Sequence, residues 1–449
     1  MLSGSVNKLK TISTNVCRLL LGVTFILSGY VKAIDPLGTQ YKIEDYLEAL
    51  AWQGMVPDWM TLGASVVLSA LEFCLGVFIL LAIRRRVVSK ITLVFMAIMT
   101  VVTLWLAIAN PISDCGCFGD AIKLSNTETL LKNIVLLGCA IVMAIWPTRM
   151  WRFISRPNQW IVFNYTIFFI IVSSLYCLYK LPLFDFRPYH VGANIQQGMV
   201  IPEGAEQPKF ETTFLLKKNG VTKEFTLDNY PDSTWTFVDS KTVQTAQGYV
   251  PPIHDFSIQT QQGDDLTQEV LNDTSYTFLL ISPHLEYADD SNFGDIDRIY
   301  EYAQTYNYPF YCLTSSTEPH IKRWQDLTGA EYPFYMTDET TLKTIIRSNP
   351  GLLLLKKGTI IRKWSHNDLP KEADMQRPLN EEVIGQVPVN SVPTRITEIF
   401  LWFILPLMLL TIADRLWAWS RWLKFKKKKE ERYQKKENCL LYTSDAADE

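Results

Sequence analysis

Residues 87–109 read VVSKITLVFMAIMTVVTLWLAIA and run directly into Asn110-Pro-Ile-Ser-Asp-Cys115-Gly-Cys117-Phe-Gly119-Asp120. The first part is apolar on every helical face and carries a single charge, Lys90. A membrane span needs about 20 mostly apolar residues to cross roughly 30 Å of hydrocarbon. A surface helix of a soluble protein keeps one polar face instead. The stretch therefore reads as a membrane-spanning helix that ends in a short loop bearing two cysteines.

Five further blocks read the same way, at residues 16–34, 60–83, 129–146, 160–181 and 396–417. Trp59, Trp146, Trp160 and Trp402 lie near their ends, and such rings favour the headgroup layer. The last block has only 15 residues between Glu398 and Asp414, so its ends are expected to snorkel or the bilayer to thin around it. The first block outruns the apolar core of a cleavable signal and is expected to stay as an anchor.

The 449 residues carry 43 Lys and Arg against 46 Asp and Glu, a near balance that hides segregation. Basic residues gather at Lys8, Lys10 and Arg18, at Arg84, Arg85, Arg86 and Lys90, at Arg149, Arg152 and Arg156, and from Arg415 through Lys429. The loops around 35–58 and 110–128 are poorer in them. Lys and Arg beside spans mark the cytoplasmic face. The expected topology is a bacterial inner (cytoplasmic) membrane protein with both termini cytoplasmic and residues 182–396 extracytoplasmic. No basic face runs through the middle of the chain, which argues against a nucleic-acid partner. Residues 419–436 read as a basic cytoplasmic tail. Residues 437–449, Cys439 included, read as translated adaptor sequence and are set aside.

Residues 183–249 read as a β-rich connector. Runs 210–217 and 221–227 flank Lys218-Asn219-Gly220, a hairpin signal, and a third strand is expected at 235–238. From 250 onward strands and helices alternate. Strand 276–282 precedes a helix at 293–307 with apolar residues at Phe293, Ile296, Ile299, Tyr300 and Ala303. Strands at 309–313 and 332–336 alternate with helices at 318–328 and 341–347. A final hairpin, 351–355 and 359–364, turns at Lys356-Lys357-Gly358.

This order, with Pro252-Ile-His-Asp-Phe256 and Asn349-Pro350, resembles thioredoxin-like proteins of the TlpA and peroxiredoxin kind, over about residues 250–370. The resemblance implies an α/β domain at 250–375 with a cis bond at Pro350. The family's Cys-x-x-Cys belongs after strand 276–282, where this chain has Ser282-Pro-His-Leu-Glu-Tyr287. The domain's one cysteine, Cys312, sits in an apolar strand and reads as inert core. The domain is thus expected to bind a partner without thiol chemistry. His284 and Glu286 read as ordinary surface rather than as a metal or acid–base pair.

Chemistry concentrates instead in the 110–120 loop. Two cysteines one residue apart in an oxidising compartment form a strained disulfide, a redox dithiol or a soft-metal pair. Metal is disfavoured because no His or Met flanks them closely. Gly116 and Gly119 permit the backbone such a loop needs. Glu72, mid-span in Ser69-Ala-Leu-Glu72-Phe-Cys74-Leu-Gly76, is expensive at that depth. Either it lines a polar path, holds a proton or pairs with a neighbouring helix, or it hydrogen-bonds bundle serines in neutral form. Cys177, near the outer end of the fifth span, is a candidate resolving thiol. Cys17, Cys74 and Cys139 read as packing residues, and Lys32 and Asp35 as anchors of the first helix.

The string Cys115-Gly116-Cys117-Phe118-Gly119, with Leu27-Ser-Gly-Tyr-Val-Lys-Ala-Ile-Asp-Pro-Leu-Gly38, resembles the DoxX superfamily and, within it, the methylamine-utilisation MauE family. The resemblance covers residues 10–150 and implies a four-helix membrane module, here extended by helices at 158–182 and 396–418. It also implies disulfide formation or maturation of an exported client protein, with Cys115 and Cys117 reacting. DoxX relatives are associated instead with quinone-linked oxidation, so a quinone is the one cofactor it raises. The expected fold is an α-helical membrane bundle in the lipid bilayer carrying an extracytoplasmic α/β thioredoxin-like domain. Alternative roles are a non-enzymatic scaffold or assembly factor, and a quinone-linked or transport role built on Glu72.

Overall fold

The computed structural model describes residues 2–445 apart from 113, 203, 206–208, 219–220, 227–235, 247 and 389–390. The chain forms two units, Met1–Phe186 with Pro388–Glu449, and Arg187–Val387. Among the described residues, six helical stretches in the first unit are long and apolar enough to cross a membrane: Ser5–Ile34, Asp58–Leu80, Arg85–Ala109, Asn126–Ile145, Arg156–Tyr179 and Val392–Arg432. Their outward faces are apolar, with Val94, Ile98, Val101, Ile108 and Leu131 exposed, as a lipid-facing surface requires.

The first unit starts with α1 (Leu2–Ile34), α2 (Pro36–Ala49), α3 (Asp58–Leu80), α4 (Arg85–Ala109), α5 (Asn126–Ile145) and α6 (Gln159–Tyr179). The first span begins well before residue 16, because helical hydrogen bonding continues through the polar residues ahead of the apolar block. The 35–58 connection, read from sequence only as a loop, contains α2. Asp35 starts it, its carboxylate accepting from the Gly38 amide at 3.0 Å, with Pro36 in the first turn.

Helices α1 and α3 pack most closely, and glycine is the reason. A Cβ on Gly29 would lie 2.4 Å from the Phe73 nitrogen, and one on Gly76 would lie 2.7 Å from the Ile26 nitrogen. Small residues let membrane helices touch backbone to backbone. That approach carries Lys32, one turn beyond Gly29, against Glu72, one turn before Gly76.

The basic clusters, far apart in sequence, share one end of this bundle. Arg18 donates to the Leu80 carbonyl at 2.5 Å, satisfying an acceptor at the end of α3, and to the Trp151 carbonyl at 2.8 Å. Arg85 donates to the Thr148 and Met150 carbonyls, both at 2.7 Å, and Arg149 to the Asn7 carbonyl at 3.0 Å.

The second unit opens with α7 (Ile195–Met199) and a three-stranded antiparallel sheet of β1 (Lys209–Lys218), β2 (Val221–Thr226) and β3 (Thr236–Ala246), ordered β2-β1-β3. The expected hairpin is β1–β2, with Lys218 opposite Val221; its Asn219-Gly220 turn lies outside the described residues. The third strand is longer than the expected 235–238, because β1 gives it a whole second edge to pair along. Next come α8 (Thr267–Asn272), β4 (Tyr276–Ser282), α9 (Phe293–Thr305), β5 (Phe310–Thr314), α10 (Glu318–Thr328), β6 (Phe334–Met336), α11 (Glu339–Ile345), β7 (Gly351–Lys356) and β8 (Thr359–Ser365).

These five strands form a mixed sheet ordered β6-β5-β4-β7-β8. β4, β5 and β6 run parallel, while β7 and β8 return antiparallel. This is the expected order of alternating strands and helices closed by a hairpin. Central β4 is buried at every position, which explains its continuous apolar run. Ile296, Ile299, Tyr302 and Ala303 of α9 pack into the same core as Phe278, Leu280 and Cys312. The Asn349–Pro350 bond is cis.

The chain then rejoins the first unit through α12 (Ser391–Ile399), a π-helical segment at Phe400–Ile404 and α13 (Leu405–Asp445). Pro406 has no N–H, so the Trp402 carbonyl four residues earlier loses its helical donor. The Tyr165 hydroxyl of α6 donates to it instead. Phe403 stacks on Phe169 at 4.3 Å and meets Phe73 at 5.2 Å, tying the sixth span to α3 and α6. Asp414 does not snorkel. It is 3% exposed and accepts from the Ser155 amide at 2.8 Å, the Ser155 hydroxyl at 2.5 Å and the Asn158 amide at 2.7 Å. Those donors precede α6, so the acid that seemed to shorten the span anchors it at the basic end.

The tight α1–α3 crossing yields a direct test. Gly76→Val should destabilise the bundle by about 1–3 kcal/mol through overpacking. Gly138→Val, where an added Cβ meets nothing within 4 Å, should be nearly neutral. Thermal unfolding of both variants in detergent micelles checks the difference.

Candidate functional site

The cysteine loop is drawn back onto three helices. α4 ends at Ala109, with Asn110 left-handed at φ 44°, and α5 starts behind a capping box of Ser125 and Glu128. The Asn126 side chain donates to Asn110 Oδ1 and to the Ile112 carbonyl, both at 2.8 Å, closing the loop's neck. From α1, the Ser28 hydroxyl donates to the Cys117 carbonyl at 2.5 Å. From α2, the Tyr46 hydroxyl donates to the Cys115 carbonyl at 3.0 Å. Asp114 accepts from the Gly116 amide at 2.9 Å and pairs with Lys42 at 3.3 Å.

Gly116 and Gly119 have φ of 64° and 52°, the region where a side chain is strained. At Gly116 a Cβ would also lie 2.8 Å from Lys42 Cγ. Two glycines therefore let the loop coil tightly enough to turn both cysteines inward.

The Cys115 and Cys117 sulfurs are 2.9 Å apart, farther than the ~2.05 Å of a disulfide and close enough to share a proton. Both residues are thiols, 7% and 8% exposed, packed with Leu106, Tyr46, Trp105, Ile112 and Phe118. Beneath them Lys32 Nζ donates to Glu72 Oε2 at 2.6 Å and to Ser28 Oγ at 3.2 Å, with both charged side chains buried. A hydrogen-bonded chain thus runs from Glu72 through Lys32 and Ser28 to the Cys117 carbonyl. Lys132 of α5 lies over the Phe118 ring, 4.6 Å from its centroid.

The two thiols are electrostatically unequal. The hydrogen bond from Cys117 lowers the Cys115 pKa to about 6 against the effect of burial, with the Tyr46 hydroxyl and the Lys32 and Lys132 ammonium groups acting the same way. The Cys117 pKa is raised well above the ordinary range, because it donates to Cys115 and is buried beside that charge. Burial and the Cys115 charge also push the Tyr46 phenol upward, keeping it a donor. Of the two sulfurs, Cys115 is the one these surroundings favour as thiolate.

Cys115, Gly116, Cys117, Phe118, Gly119 and Glu72 thus belong to one connected neighbourhood. Glu72 does not rest on the bundle serines: Ser65 donates to the Pro36 carbonyl at 2.6 Å and Ser69 to the Ser65 carbonyl at 2.7 Å. Its partner is Lys32, which sequence reading took for a helix anchor. Cys177 is buried in α6 among the charges of Asp35 and Arg395, and no described interaction joins it to the loop thiols. Cys17 contacts Cys139 elsewhere in the bundle. Sequence reading missed Ser28, Lys32, Tyr46 and Lys132 as site residues. Lys32 and Glu72 alone offered a signal, as opposite charges in neighbouring apolar spans.

A small cavity bordered by Cys117, Phe118 and Gly119 holds about 10 Å³, room for one water at most. That volume is smaller than a quinone ring.

In the second unit, Ser282 donates to Asn349 Oδ1 at 2.6 Å and Asn349 Nδ2 to the His284 carbonyl at 2.8 Å, fastening the 282–287 loop beside Pro350. His284 bridges Glu286 at 3.4 Å and Glu339 at 2.9 Å, and His320 reaches Glu286 at 3.5 Å. Burial opposes the Glu286 carboxylate, but its own amide, Ser316, His284 and His320 hold its pKa below the usual range. His284, His320, Glu286 and Glu339 thus cluster at the 282–287 loop that follows β4. Cys312 is fully buried in β5, and burial pushes its pKa upward.

Two measurements follow from this geometry. Lys32→Met should cost roughly 3–5 kcal/mol by stranding the Glu72 charge, and Lys32→Met/Glu72→Leu should recover most of it; a double-mutant cycle on unfolding in micelles reads this. In reduced protein, iodoacetamide should label Cys115 before Cys117, with a pH midpoint near 6 instead of the ordinary thiol value of about 8.5. Lys132→Gln should move that midpoint upward, as peptide mass spectrometry across a pH series would show.

Comparison with known proteins covers parts of the chain. No curated protein matches it. A solution structure provisionally named as a protein disulfide isomerase from Bacteroides thetaiotaomicron is similar at 14% identity and a TM-score of 0.21, over 25% of this chain and 76% of that one. Residues 210–247 match a domain of unknown function (DUF8463). Residues 10–146, which hold the bundle's first four spans and the cysteine loop, match the family described as Methylamine utilisation protein MauE.

Proposed function

We propose that this membrane protein, DoxX-like in its first four spans, exchanges disulfides with an exported client protein through Cys115 and Cys117. The observation that carries the reading is the pair of sulfurs 2.9 Å apart, one favoured as thiolate, above the buried Lys32–Glu72 pair. The Cys115 thiolate attacks one sulfur of a client disulfide. The client S–S bond breaks, and its electron pair leaves on the other client sulfur, which takes the Cys117 proton. The Cys117 thiolate then attacks the Cys115 sulfur and expels the first client sulfur. Two electrons and one proton have passed to the client, and a Cys115–Cys117 disulfide remains. The reverse sequence oxidises a client dithiol, and the relative potentials choose the direction.

The module at 250–375, thioredoxin-like in strand order, binds the client without reacting, its Cys-x-x-Cys position being filled by Ser282–Tyr287 residues held on Asn349. Both termini are cytoplasmic and residues 182–396 face the oxidising side of a bacterial inner membrane. The convergence of the basic clusters at one end of the bundle supports that orientation.

A second reading, in which the cysteines only staple the loop of a scaffold protein, is favoured by the near-complete burial of both sulfurs. Trapping separates the two. Cys117→Ser should accumulate a mixed disulfide on Cys115 that non-reducing gels resolve, while Cys115→Ser should not, and Cys177→Ser should leave the trap unchanged. Full function of a Cys115→Ser/Cys117→Ser variant with no trapped species would leave the scaffold.

A further inference from the structure

At the end of the bundle away from the thiols lies a cavity of about 380 Å³ lined by Arg84, Arg85, Arg86, Arg152, Arg156 and Gln159. We propose that this cavity is a binding site for a phosphate-bearing anion, the headgroup of an anionic membrane lipid. Five arginines, three at the start of α4 and two in the connection ahead of α6, line one space. Among the described residues no carboxylate pairs with any of them; the neighbouring Asp414 is committed to Ser155, Asn158 and Arg415. Arg85 spends one nitrogen on the Thr148 and Met150 carbonyls, and Arg152 Nε is buried with no partner at all.

Backbone adds to the side chains. α4 starts at Arg85 and α6 at Gln159, so two long helices present their N-terminal, positive ends here. Gln159 ties them together by accepting from the Arg84 amide at 3.0 Å. Like charges held this closely repel one another, and a bound phosphate removes that repulsion. Basic pockets between membrane helices at the headgroup level suit anionic headgroups, whose phosphates take two parallel bonds from each guanidinium.

The test uses the full chain in detergent micelles doped with phosphatidylglycerol, with phosphatidylcholine as the neutral control and inorganic phosphate at matched ionic strength. Arg86 and Arg156 are exposed and hold no described backbone group, so Arg86→Gln/Arg156→Gln should fold normally. Phosphatidylglycerol should raise the thermal midpoint of the parent and bind about five-fold more weakly for each arginine removed. A control of equal charge loss in the tail, Lys427→Gln/Lys428→Gln, should retain parent binding. A rise with lipid but not with inorganic phosphate assigns the site to a headgroup; a rise with both assigns it to free phosphate as well. No rise with either, or equal loss in the two double variants, overturns the proposal.

Discussion

One ion pair organises the membrane unit. Lys32 and Glu72 meet at 2.6 Å inside a bundle whose surroundings are apolar, and neither charge is tolerable there without the other. Their meeting depends on Gly29 and Gly76, which let α1 and α3 approach until side chains one turn away reach across. Once paired, Lys32 still has a proton for Ser28, and Ser28 holds the Cys117 carbonyl. The helix crossing and the loop conformation are consequences of the same contact. A pair of this kind adds little net stability against an apolar replacement, so its importance lies in what it positions.

Polar groups in the bundle collect at its two ends and do different work. At one end arginines satisfy helix carbonyls, and Asp414 fixes the sixth span through Ser155 and Asn158. At the other, hydrogen bonds from α1, α2 and α5 fold a loop of two cysteines inward. Between them, the carbonyl that Pro406 leaves without a donor is recovered by Tyr165. Backbone groups in hydrocarbon need a partner, and here one side chain supplies it across a helix interface.

The second unit folds around its own core, and the loop after β4 is fastened beside the cis-proline Pro350. Ser282, Asn349 and His284 lock the loop, and Glu286 and Glu339 surround the imidazole. Carboxylates at that place hold histidines rather than activate a nucleophile. The contrast with the cysteine loop, where lysines favour a thiolate, locates the thiol chemistry proposed for this protein in the membrane unit.

Much of this was legible in one dimension. Six apolar blocks, the basic clusters, the alternation from 276 to 365 and the Cys-x-Cys loop are local patterns, and hydrophobic length and periodicity report local structure directly. Contacts between segments distant in sequence were not legible. Nothing near Glu72 names Lys32 as its partner, and nothing near Asp414 names Ser155. Tyr46 lay in a stretch whose helix, α2, is too short and polar to stand out. Cys177 lies in α6, and among the described residues no interaction joins it to the loop thiols. Sequence determined which residues enter the membrane, because burial in lipid is a property of each segment alone. Which charges meet there was decided only by packing, because an ion pair exists at one distance and one angle between two helices.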